Sequence, residues 1–162
     1  MQLGPYSIIN RLGIGGSGEI LRAYQTDDPT KQVVVLKRLL AKLENDPTAK
    51  EYFETEADLG RQLVHPNLLK QLRVGMDEDK LFLVLEYIDG PNLSMLLKKI
   101  RSLGYAFPVT LGLYILKQVL NGLHYAHELQ SPDGDNLNLV HRDVNPHNVL
   151  LSQDGRVVLA DF

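Results

Sequence analysis

Between two β-patterned stretches lies Gly13-Ile14-Gly15-Gly16-Ser17-Gly18, a G-x-G-x-x-G run with an apolar residue, Ile20, two positions beyond it. Glycine backbone lets phosphate oxygens approach closely and presents N–H groups to them. The residues after the run limit the fold more than the run itself. A dinucleotide-binding βαβ unit needs a helix directly after the glycines and an acidic residue about 20 positions on. Here Glu19 to Tyr24 alternates as a strand, and the later position holds Lys37 and Arg38. The dinucleotide reading fails, and consecutive antiparallel strands around a glycine turn remain.

The 162 residues are enough for one domain with a real core. Seventeen Lys and Arg against twenty Asp and Glu argue against a chain whose main affinity is for nucleic-acid backbone, so no nucleic-acid partner is expected. The absence of cysteine excludes disulfides, thiolate metal sites and a cysteine nucleophile. The longest apolar run, Leu81 to Leu85, is far too short to span a bilayer, and Met1 to Pro5 lacks the character of a secretion signal. A cytoplasmic chain with no membrane segment in the stretch shown is expected.

Strands are expected at Tyr6–Leu12, Glu19–Tyr24 and Gln32–Arg38, punctuated by the glycines and by Thr26 to Thr30. A helix comes next, capped by Asp46, with Pro47 at its first position and Tyr52, Leu59 and Leu63 on the face toward the sheet. His65-Pro66-Asn67 ends it. Two strands near Leu68–Val74 and Leu81–Glu86 flank a polar turn at Met76–Lys80. Asn92 caps a short helix that stops at Gly104, and a longer helix runs from about Pro108 to Leu129 with Ile115, Val119, Leu123 and Ala126 in one stripe. Asp154-Gly155 marks a final hairpin. Strands, a helix, strands, then helices and a hairpin read as α+β with two lobes.

Two further constellations carry chemistry. Glu56 falls within the apolar face of the first helix, where a carboxylate is costly unless it meets a cation, and Lys37 at the end of Val33 to Leu36 is the candidate. Later, His141-Arg142-Asp143-Val144-Asn145-Pro146-His147-Asn148 precedes Asp161-Phe162. This order offers an acid for an attacking hydroxyl, an amide oxygen suited to Mg²⁺ and a second carboxylate for Mg²⁺. His124 and His127 lack a third ligand nearby and read as structural.

With glycine loop, strand lysine, H-R-D loop and D-F present in one order, the chain resembles a eukaryotic-type (Hanks-type) protein kinase domain, and is most similar to bacterial serine/threonine members. The resemblance covers Tyr6 to Phe162. It implies a bilobal α+β fold: a complete antiparallel first lobe with one helix (6–85), a hinge (86–90) and an incomplete, mainly helical second lobe (91–162). Gly13, Gly15, Gly16, Ser17 and Gly18 would cover the ATP phosphates, and Lys37 would pair with those phosphates and with Glu56. Leu12, Ile20 and Val35 would lie above the adenine and Leu150 below it, with backbone around Glu86–Ile88 binding its edge and Leu85 as gatekeeper. Asp143 would accept the substrate proton, while Asn148 and Asp161 would hold Mg²⁺ or Mn²⁺.

ATP and a protein substrate are the implied partners, with serine or threonine favoured over tyrosine as acceptor. A pseudokinase or allosteric nucleotide-binding module is the alternative, and a small-molecule phosphotransferase ranks third. Three departures from the family pattern stand out. Asn145 replaces a lysine that serine/threonine kinases place by the transferring phosphate, and Val35 replaces an alanine. The stretch ends at Phe162, ahead of the glycine of D-F-G, and lacks the activation segment and later helices that the resemblance implies. Without those helices an exposed apolar patch on the 108–129 helix is expected, and efficient protein phosphorylation by this stretch alone is not.

Overall fold

The computed structural model describes residues 1–15, 18–131 and 133–162, so the expectations for Gly16 and Ser17 lie outside the described residues. The chain divides into two compact units, Met1–Gln62 with Lys70–Tyr87 and Leu63–Leu69 with Ile88–Phe162.

The first unit is a six-stranded sheet built from β1 (Gln2–Leu3), β2 (Tyr6–Ile14), β3 (Gly18–Gln25), β4 (Val33–Leu39), β5 (Gln71–Asp77) and β6 (Lys80–Glu86). The spatial order is β1-β2-β3-β4-β6-β5, and every neighbouring pair is antiparallel. Strand β1 is too short to show periodicity and is not among the expected strands. The turn between β5 and β6 is tight, with Glu78 and Asp79 both in the left-handed region, so the strands run closer to it than the polar composition implies. Alternation along β6 sorts the two faces. Phe82 and Val84 join Tyr6, Leu21, Ala23 and Leu36 in one cluster, while Leu83 points the other way onto Phe53 and Ala57 of α1 (Pro47–Gln62).

Asp46 caps α1 as expected, its Oδ1 accepting from the Thr48 N–H at 2.9 Å. The buried face differs from the expected one. Tyr52 is 71% exposed, and Phe53 and Ala57 meet the sheet instead. Close approach decides this: the Gln71 side chain donates to the Ala57 carbonyl at 2.7 Å, and a Cβ at Gly60 would collide with it. Helix α1 stops at Gln62, and Leu63 is buried in the second unit. Leu68, expected to open a strand, likewise belongs there, bridged in parallel to Leu159.

The second unit holds α2 (Leu93–Ser102), α3 (Val109–His127) and the hairpin of β7 (Val149–Leu151) and β8 (Val157–Leu159). Asn92 caps α2 by accepting from the Met95 N–H at 2.9 Å. Ile115, Val119 and Ala126 of α3 pack with Val149, Val157 and Leu159. The opposite side of α3, with Val109, Leu113, Leu116 and Leu120, is exposed.

Asn67 ties this unit together. It is buried, its side chain donates to the Val157 carbonyl at 2.8 Å, and its own carbonyl accepts from the Leu159 N–H at 2.8 Å. Its N–H donates to His65 Nδ1 at 3.1 Å, and burial holds that imidazole below its ordinary pKa, which favours the neutral ring able to accept. Asn67→Ala strands the Val157 carbonyl in the core at a cost of about 1–3 kcal/mol. The expected result is a melting temperature lower by roughly 3–10 °C, read by thermal denaturation. An unchanged melt would show that Asn67 does not hold β8.

Candidate functional site

The first unit places Lys37 on β4, opposite Ile20 of β3. Lys37 is buried, and its Nζ donates to Glu56 Oε1 of α1 at 2.5 Å. The sequence expectation of that pair rests on Tyr52 and Leu59 defining the inward face. The pair forms because Glu56 lies one turn from Phe53 and from Gly60, the positions that approach the sheet.

Gly13, Gly15 and Gly18 close the β2–β3 end of this unit, with the Gly15 N–H donating to the Gly18 carbonyl at 2.8 Å. Their reasons for being glycine differ. A Cβ at Gly18 would stand 3.1 Å from the Arg38 carbonyl, so packing accounts for it. A Cβ at Gly13 would meet nothing within 4 Å, and at Gly15 only the Gly18 carbonyl at 3.7 Å. Among the described residues, packing does not require glycine at those two positions. Val35 is buried in β4, Ile20 is partly exposed and Leu12 is exposed. The Glu86 N–H donates to the Lys70 carbonyl at 3.0 Å, and the Ile88 carbonyl, in the second unit, accepts from the Gly90 N–H.

The second unit gathers Asp143, Asn145 and Asn148 in one loop. The Asn148 amide donates to the Asp143 carbonyl and to Asp143 Oδ2, each at 3.0 Å. The Asn145 amide does the same from the other side, to the Asp143 carbonyl at 3.2 Å and to Oδ1 at 2.9 Å. The Ala160 N–H donates to the Asn148 carbonyl at 2.8 Å, which brings Asp161 beside this loop in the backbone. Asp161 is exposed and sits at φ +62°. Leu150 lies on β7, paired with Val158.

His141 anchors the loop, a role its place in the motif does not reveal. It is buried, and its Nδ1 accepts from the Asp143 N–H at 3.3 Å. That fixes the proton on Nε2, which donates to the Ala160 carbonyl at 2.9 Å. The ring also meets the Phe162 ring edge-on, with centroids 4.6 Å apart. One imidazole therefore orients both the Asp143 loop and the Ala160–Phe162 segment.

The donor set suits a hard cation. Asn148 spends its N–H groups on Asp143, which leaves its amide oxygen as an acceptor, and Asp161 supplies carboxylate oxygens. No group of three or more His, Cys, Asp or Glu side chains forms a metal site among the described residues. An amide oxygen and a carboxylate are the kind of ligands that Mg²⁺ takes when water and phosphate complete its shell.

A family model for the protein kinase domain matches residues 6–162. Tyrosine-protein kinase MasK of Myxococcus xanthus is 36% identical over 160 residues, covering 98% of this chain and 25% of MasK. Serine/threonine-protein kinase PknJ of Mycobacterium tuberculosis is 32% identical over 161 residues, covering 97% of this chain and 25% of PknJ. The crystal structure of the Mycobacterium tuberculosis PknI kinase domain superposes with a TM-score of 0.77 at 28% identity, over 100% of this chain and 61% of that one. The chain thus spans about a quarter of the length of these two curated relatives. With the sheet and its Lys37–Glu56 pair in one unit, the Asp143 loop in the other, and a family match running through both, the chain belongs to the protein kinase family.

Proposed function

We propose that this domain serves an ATP-dependent protein kinase, which transfers the γ-phosphate of ATP to a protein hydroxyl. The observation that carries the reading is the state of Asp143: both carboxylate oxygens are held by amide N–H groups, an amide oxygen stands in the same loop, and a second carboxylate, Asp161, follows Ala160, whose N–H bonds to that loop. A loop serving only structure has no need of an oriented, exposed carboxylate.

Asp143 accepts the proton of the attacking hydroxyl, and orientation supplies much of the rate. Lys37, fixed by Glu56, pairs with the ATP phosphates. Gly13 and Gly15, free of packing demands, let backbone approach those phosphates, with Gly16, Ser17 and Gly18 completing the loop. Leu12, Ile20, Val35 and Leu150 take the adenine, and backbone at Glu86 and Ile88 binds its edge. Asn148 and Asp161 hold a divalent cation, Mg²⁺ ahead of Mn²⁺, which when bound neutralises charge on the phosphates. A cytoplasmic location for the domain is part of this reading; no helix among the described residues is long and apolar enough to cross a membrane.

Serine or threonine is the favoured acceptor, as the name of PknJ states for that relative. A tyrosine acceptor is the second reading, favoured by the name of MasK and by Asn145 at the position of the usual lysine. Incubation of the full-length protein with γ-labelled ATP and Mg²⁺, with phosphoamino-acid analysis of the product, decides between them. Label on phosphoserine or phosphothreonine is expected. Label on phosphotyrosine alone reverses the acceptor assignment, and absence of transfer with retained ATP binding supports the pseudokinase alternative.

A further inference from the structure

We infer that Asn145 is a positioning residue for Asp143, distinct in role from Asn148, so that neutral amides alone orient this loop's carboxylate. The inference rests on the kinase reading above and assigns one further residue to it.

The two asparagines make nearly the same contacts to Asp143. Each amide nitrogen donates one N–H to the Asp143 carbonyl and the other to a carboxylate oxygen, Asn145 to Oδ1 and Asn148 to Oδ2. The Asp143 N–H is committed as well, to the His141 carbonyl at 2.8 Å and to His141 Nδ1. Each carboxylate oxygen accepts about two hydrogen bonds, so one site on each remains for an incoming hydroxyl.

The remaining oxygens separate the two residues. Asn145 Oδ1 accepts from the His147 N–H at 2.8 Å, so both ends of that amide are committed within the loop. No described group occupies the Asn148 oxygen in this way. Asn148 can therefore face a cation while it orients Asp143, whereas Asn145 has only the orienting task. An uncharged amide directed at Asp143 sets the angle of the carboxylate. It adds no formal charge to hold a nucleotide phosphate. Loss of this contact should slow the chemical step and leave ATP affinity alone, since a carboxylate displaced by about 1 Å costs up to roughly 10²-fold in rate.

The experiment uses the full-length protein with MgATP and myelin basic protein as a generic acceptor, and reads kcat and the KM for ATP. Asn145→Ala is expected to lower kcat by about 10–100-fold with the KM for ATP within about twofold. Asn145→Ser, whose hydroxyl can donate, should recover most of the loss. Asn145→Asp keeps an acceptor for the His147 N–H but puts a like-charged oxygen where the donor stood. It should fold and melt like the wild type, and its kcat should fall at least as far as that of Asn145→Ala. Wild-type kcat in a folded Asn145→Ala or Asn145→Asp protein overturns the assignment and leaves the kinase reading intact. A raised KM for ATP at unchanged kcat also overturns it, by placing Asn145 at the nucleotide. A wild-type protein that transfers no phosphate removes the kinase reading, and this inference with it.

Discussion

Asp143→Asn is expected to reduce phosphoryl transfer by about 10²–10⁴-fold while MgATP binding is retained, the range a positioned general base contributes. The substitution is nearly isosteric, but the hydrogen-bond pattern is not. The carboxylate offers an acceptor to each flanking amide, Oδ1 to Asn145 and Oδ2 to Asn148. An asparagine there keeps one acceptor oxygen and turns an NH₂ group toward the other donor. The loop is exposed at Asp143, so water can take up the displaced amide and the fold should survive. Initial rates with γ-labelled ATP, beside a thermal melt of the same protein, provide the check. Transfer at the wild-type rate would show that another group accepts the proton. A melt lowered in parallel with the rate would assign Asp143 to structure instead.

How far the sequence forecasts each element depends on whether its determinants are local. The strand after the glycines is legible because alternation from Glu19 to Tyr24 rules out a helix within a few residues. The caps at Asp46 and Asn92 are legible because each acts on N–H groups two or three positions ahead. The inward face of α1 is not. Tyr52 and Phe53 are adjacent, about 100° apart on the helix, and apolar content alone cannot choose between them. Gln71 makes the choice by pressing on Ala57 and Gly60, a contact from a strand beyond the helix. Leu63 and Leu68 depart from expectation for the same reason: their partners lie on α3 and β8, far along the chain.

The site divides along the same line. Spacing exposes Asp143, Asn148 and Asp161 as oxygen donors, but leaves their mutual arrangement open. The motif position of His141 does not reveal that its ring joins Asp143 to Ala160, or which nitrogen carries the proton. In sequence, Asn145 is only a missing cation. That its amide reaches Asp143 Oδ1 emerges from the turn of the loop, which brings residues two positions apart onto one carboxylate.

Lys37→Met is expected to abolish both transfer and the stabilisation that MgATP confers. Methionine keeps most of the aliphatic stem that Lys37 buries in β4, so the substitution removes charge with little loss of packing. Glu56 then loses the ammonium 2.5 Å away, but its side chain is 26% exposed and can recruit water, so the unliganded melt should fall only modestly. The liganded melt carries the information. A ligand at 100 times its Kd stabilises the folded state by about 2.7 kcal/mol, several degrees in a domain of this size. Wild-type protein should show that rise with MgATP, and Lys37→Met should lose most of it because the phosphate charge no longer meets a fixed cation. An equal rise in both proteins would place the nucleotide away from Lys37 and overturn the assignment of β4. A rise in the wild type that the mutant lacks, combined with failure of either protein to transfer phosphate, would separate binding from chemistry and leave a nucleotide sensor in place of an enzyme.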